Sequence, residues 1–183
     1  GTDTATMSTS TTIAPTLTNI EKATVGFVAG GAFNAGNSSS LTTITVEEKT
    51  TGTAAPATVI NVADGTQVIL TDTNGGSDLT TLTLDSVNDA AVTLTARLAQ
   101  GEATTITDVA SLTINAASTG ATASVGALAL DVADTTSLTL VGADTAYALS
   151  TGAITLSEKV STISVSSSTA SGTVTTGSMV NAD

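Results

Sequence analysis

Leu79-Thr80-Thr81-Leu82-Thr83-Leu84 is the stretch whose reading decides the fold. Leu82 and Leu84 lie two residues apart, so in extended backbone both point to one side, while Thr81 and Thr83 point to the other. Almost the same text returns as Leu41-Thr42-Thr43-Ile44-Thr45-Val46, as Val109-Ala110-Ser111-Leu112-Thr113-Ile114 and as Val160-Ser161-Thr162-Ile163-Ser164-Val165. Each copy reads as a strand with an apolar face and a hydroxyl face.

Working outward, a polar residue precedes each apolar pair at a fixed distance. Asn19 leads to Ala23 and Val25, Ser40 to Ile44 and Val46, and Asp64 to Val68 and Leu70. Asp78 leads to Leu82 and Leu84, Asp108 to Leu112 and Ile114, Asp134 to Leu138 and Leu140, and Lys159 to Ile163 and Val165. Successive leaders are 21, 24, 14, 30, 26 and 25 residues apart. These gaps fall in the range of solenoid repeats, with loops of unequal length between coils. Weaker strands are expected between the main copies, at Val59-Val62, Val92-Leu94, Leu128-Leu130 and Ile154-Leu156.

The expected fold is all-β: a parallel β-solenoid with irregular coils. One coil cannot bury its own Leu and Ile, whereas stacked coils line them into a continuous ladder. Helix is disfavoured by Thr and Gly and by the lack of a sustained 3.6-residue period. An antiparallel β-sandwich is the alternative, because many short strands with turn signals also suit it. The shared frame favours the solenoid, since sandwich strands need not resemble one another.

Composition narrows the function. Of 183 residues, 41 are Thr, 29 Ala, 20 Ser and 16 Gly, and the net charge is -12. The chain has no Cys, His or Trp, so disulfides, Cys or His metal sites and His-based nucleophilic catalysis are excluded. An acidic surface repels nucleic acid. No run of 18 apolar residues is present to span a membrane as a helix. No spacing singles out a catalytic set, and an enzyme is not expected. Glu47 and Glu48 are strand neighbours that face opposite sides, and Lys22, Lys49 and Lys159 could in principle activate a Ser, but no spacing singles one out. Arg97 with the acidic residues is nominally compatible with a solenoid polysaccharide lyase, which usually needs several basic residues and aromatic subsites.

Asp72, Asn74 and Asp78 sit on a loop with Gly75 and Gly76 and offer hard oxygens of the kind calcium takes. The same residues also suit a glycine turn with Asp78 capping the next strand. Asp64, Asp89, Asp134 and Asp144 each close a short phrase and would form an acidic column if the coils stack in register. Such a column attracts cations. The other reading of each is a local cap on turn N–H groups. Asp64 and Asp89 join Asp72, Asn74 and Asp78 as candidate metal ligands.

Gly1-Thr2-Asp3-Thr4, Pro15 and Leu17-Thr18-Asn19-Ile20-Glu21-Lys22-Ala23-Thr24-Val25 resemble a recurring module of bacterial surface-layer and RTX-type secreted proteins. The specific phrase covers residues 1–26, an entry segment with the first strand, and residues 27–183 match in composition and rhythm as Thr/Ala-rich coils. The resemblance implies a fragment of a large extracellular protein exported by type I secretion. It implies self-assembly into a lattice at the bacterial cell surface with calcium-assisted contacts, and anchoring to lipopolysaccharide through another region. The full glycine-rich calcium nonapeptide is absent, and Gly75-Gly76-Ser77-Asp78 matches part of it. The alternative role is an adhesin module that binds a glycan or another cell.

Overall fold

A computed structural model describes residues 1–28, 30–48, 55–71, 79–96, 103–116, 123–125, 128–130, 135–142, 149–156, 158–167 and 173–181. Among them every element is a strand and every strand pair is parallel. The chain is a parallel β-solenoid. The antiparallel sandwich is overturned by the pairing, because coil upon coil runs in the same direction.

One face stacks β1 (Thr4–Thr9), β3 (Lys22–Phe27), β5 (Thr43–Glu48) and β7 (Gln67–Thr71). It continues through the second halves of β8 (Leu79–Ala96) and β9 (Ala103–Ala116), then β12 (Ser137–Gly142) and β15 (Thr162–Ser167). A second face stacks β2 (Thr12–Ile13), β4 (Ala32–Asn34), β6 (Ala55–Val62) and the first halves of β8 and β9. It ends with β11 (Leu128–Leu130), β14 (Ile154–Leu156) and β17 (Met179–Asn181). In the later coils a third face appears, formed by β10 (Ala123–Val125), β13 (Leu149–Thr151) and β16 (Val174–Thr175). The coil length varies, with 18 residues between Thr4 and Lys22, 26 between Gln67 and Thr93, 20 between Thr93 and Thr113 and 26 between Ser111 and Ser137.

The register puts like on like. Ala23, Ile44, Val68, Leu94, Ile114, Leu140 and Val165 form one column of the first face. Val92, Leu112, Leu138 and Ile163 form the column beside it. On the second face Ile13, Phe33, Val59, Leu84 and Ile106 are aligned. Leu112, Ile114, Leu138, Leu140, Phe33, Val59 and Leu84 are all at most 1% exposed. Rungs about 4.8 Å apart bring each aliphatic side chain into contact with the ones above and below.

The repeat frame is correct in its text and wrong in one assignment. Leu82 and Leu84 do not continue the column of Val68 and Leu70. They pair with Ala57 and Val59 on the second face, and Val68 and Leu70 are followed by Leu94 and Ala96. Val92-Thr93-Leu94 is therefore a rung of the first face rather than a weaker strand between copies. The short gap of 14 residues between Asp64 and Asp78 separates two faces, not two coils. The cause is that β8 passes the corner without breaking and serves both faces with one strand of 18 residues.

Hydroxyls tie one coil to the next at the start of the first face. The N–H and the hydroxyl of Thr42 both donate to the carbonyl of Glu21, at 2.9 and 3.2 Å. Thr136 makes the same pair of bonds to Ala110, and Ser161 to Thr136. At the entry segment the Asp3 N–H donates to the Glu21 carboxylate at 2.7 Å, while the N–H groups of Glu21 and Lys22 donate to the Asp3 carbonyl.

Two copies depart from the frame directly after the leading residue, the Asp64 copy with Gly65 and the Asp134 copy with Thr135. The residue after the leading polar one is Leu41, Val109 or Val160 in other copies, and Thr135 in the Asp134 copy. Thr135 is fully buried, and its hydroxyl has no hydrogen-bond partner among the described residues. An unpaired buried hydroxyl costs about 1–3 kcal/mol. Thr135→Val replaces it with a methyl of similar shape, and urea denaturation should show a gain of about 1 kcal/mol in stability.

Candidate functional site

Three successive coils meet at the corner that follows the second face, and their turns differ in length. The first turn runs from Ala35 to Thr42, the second from Ala63 to Thr66, and the third is the bend inside β8. Ala35 donates its N–H to the Ile60 carbonyl at 2.9 Å, and Gly65 donates to the Ala91 carbonyl at 2.9 Å, so all three levels are hydrogen-bonded together. The longer first turn leaves a cavity of about 630 Å³ beside the shorter second one. Ser39, Asn61 and Asp64 bring polar groups to its wall, and Ala35, Ala63, Val87 and Ala90 bring apolar ones.

Its polar groups are held by bonds between coils. The Asn34 side-chain carbonyl accepts the Gly36 N–H at 2.9 Å and an Asn61 amide N–H at 2.8 Å. Asn61 itself has φ 57°, in the left-handed region that Asn tolerates better than most side chains. With one N–H given to Asn34, Asn61 has its carbonyl oxygen left to accept and its second N–H left to donate. Asp64 accepts the Ala91 N–H through Oδ1 at 2.8 Å, which leaves Oδ2 exposed. Val87 is 39% exposed beside them.

Of the sequence-predicted ligands, Asp64 is therefore a cap on the next coil as well as a cavity residue. Asp89 lies in β8, one residue before the cavity residue Ala90. Asp72, Asn74 and Asp78 lie outside the described residues, as do Asp134 and Asp144. Among the described residues no three Asp or Glu side chains converge in a group able to hold a metal ion. Calcium takes six to eight oxygens, and the described part of the cavity does not supply such a shell. Sequence reasoning missed the cavity residues Ser39, Asn61 and Val87, and Asn34, which holds Asn61. Only the spacing of Asn34 and Asn61, one coil apart, carries a trace of the site in the sequence.

The other conspicuous feature is the last coil. Ile163 and Val165 continue the buried columns of Leu138 and Leu140, yet they are 42% and 59% exposed. Met179 and Val180 on the second face are 38% and 50% exposed. Among the described residues no strand pairs with the far side of β15 or β17. Comparison with protein-family models, with curated proteins and with solved structures gives no match.

Proposed function

We propose that this chain is a structural component of a bacterial cell-surface layer, an extracellular scaffold that self-assembles into a lattice with calcium-assisted contacts. The carrying observation is the last described coil, where Ile163 and Val165 are 42% and 59% exposed and, among the described residues, no strand pairs with the far side of β15, so that a further strand of this chain or of another copy fits there. Such an edge is a template for another strand. The outward rows of Thr and Ser along the first face add hydrogen-bonding surface, as in the contact of 3.2 Å between the hydroxyls of Ser111 and Ser137. A net charge of -12 opposes close packing of copies, and divalent ions relieve it. The candidate donors for calcium are Asp72, Asn74, Asp78, Asp64 and Asp89. Export by type I secretion and anchoring to lipopolysaccharide through another region belong to the same reading and rest on the resemblance of residues 1–26.

The test is assembly. Calcium added to the purified chain should raise light scattering, and electron microscopy should show ordered sheets or fibres. Val165→Lys puts a charge on the open edge and should reduce assembly several-fold without moving the melting midpoint by more than a degree or two. A chain that stays monomeric at every calcium concentration, and instead binds cells, would be an adhesin module and would end the lattice reading.

A further inference from the structure

We infer that the corner cavity is a binding site for a neutral, hydroxyl-rich ring, such as one sugar unit of a glycan. Its volume of about 630 Å³ lies within the range of small-molecule sites. Among the described residues its uncommitted polar groups offer more acceptors than donors: Asn61 Oδ1 and the Asp64 carboxylate accept, the second Asn61 N–H donates, and the Ser39 hydroxyl acts either way. A ligand that fits this set is rich in donors and able to accept as well. Among the described residues no Lys or Arg lines the cavity, and the Asp64 carboxylate there repels an anion. Hydroxyl groups both donate and accept, and hydrogen bonds to an ionised carboxylate are the stronger kind.

The apolar wall completes the argument. Val87 and the methyl groups of Ala35, Ala63 and Ala90 can cover the C–H face of a sugar ring, and they offer nothing to a bare cation. The acceptors are also set in place before any ligand arrives. Asn34 orients the Asn61 amide and the Ala91 N–H orients Asp64, so little ordering cost falls on binding. Gly36 protects this arrangement, because a Cβ there would lie 3.1 Å from Asn34 Oδ1 and 3.3 Å from Asn61 Cβ. The inference does not depend on lattice assembly, since the cavity lies at a coil corner, away from β15 and β17.

N-acetylglucosamine and mannose, titrated separately into the isotope-labelled chain, test it by NMR. The expected result is a set of amide shifts confined to Gly36, Asp64, Gly65 and Val87, with an apparent Kd of about 1–10 mM, as a shallow site of this kind would give. Asp64→Asn keeps the acceptor for Ala91 and should weaken binding about tenfold, the equivalent of one charge-assisted bond. Ser39→Ala alters an exposed residue with no fold-bearing hydrogen bond and should weaken it about threefold, which keeps the test open if the first variant folds poorly. No shift with either sugar up to about 100 mM overturns the inference. So do shifts that appear with calcium alone and not with sugar, or equal affinity in both variants.

Discussion

Leu112→Ala should lower the stability of this chain by about 3 kcal/mol, while Ile163→Ala should lower it by less than about 1 kcal/mol. Both residues belong to one column, Leu112 stacked on Leu138 and Leu138 on Ile163. Leu112 is fully buried between Val92 and Leu138, so truncation opens a cavity that its neighbours, fixed by strand hydrogen bonds, cannot close. Ile163 is 42% exposed, and its truncation mostly removes surface that water already reaches. Urea denaturation of the two variants measures the contrast. Equal losses would mean that the last coil is covered in solution or that the column is not a column. In a stacked array each coil leans on its neighbours, so loss at the centre should also lower cooperativity and broaden the transition.

The column was legible because it rests on a period of two and a fixed lead distance, both local properties of the text. Ile44, Val68, Leu112, Ile114, Leu138 and Leu140 all come from the frame and all are fully buried. What the frame could not carry was which face a copy belongs to. The Asp78 copy looks like the rest, and only the unbroken passage of β8 around the corner sends Leu82 and Leu84 to the second face. The third face was invisible for a similar reason, since β10, β13 and β16 are two or three residues long and leave no period to count.

The candidate site was less legible than the fold. Asp64 stood out as an acid at a turn, which is a property of one residue. The cavity beside it depends on a mismatch between turns in successive coils, and Asn34 meets Asn61 across 27 residues of chain. No single-strand pattern encodes such a mismatch. The hydroxyl ties have the same origin. Thr42, Thr136 and Ser161 each stand one residue before a first-face strand, but their role appears only when the carbonyl of the previous coil is set above them. Thr-rich sequence in this chain is thus partly surface and partly fastening between coils.

Gly31→Ala should be among the most damaging single changes on the chain, costing about 3 kcal/mol or more, whereas Gly65→Ala should cost about 1 kcal/mol. Both glycines have positive φ, 119° at Gly31 and 74° at Gly65, so both replacements carry backbone strain. Their surroundings differ. A Cβ at Gly31 would lie 2.6 Å from the Thr11 carbonyl oxygen and 2.9 Å from the Thr11 nitrogen, while a Cβ at Gly65 would meet nothing within 4 Å. The obstacle at Gly31 is the backbone of the first coil, which cannot swing aside like the tip of a side chain. The N–H of Ala32 donates to the Thr11 carbonyl at 3.2 Å, so relieving the clash means breaking the bond that starts the pairing of β2 with β4. Hydrogen exchange should then show early loss of protection in β1 and β2 for Gly31→Ala and an unchanged pattern there for Gly65→Ala. If both variants lose the same stability, strain alone accounts for the cost. The first coil would then not be pressed against the second as closely as the distances at Gly31 require.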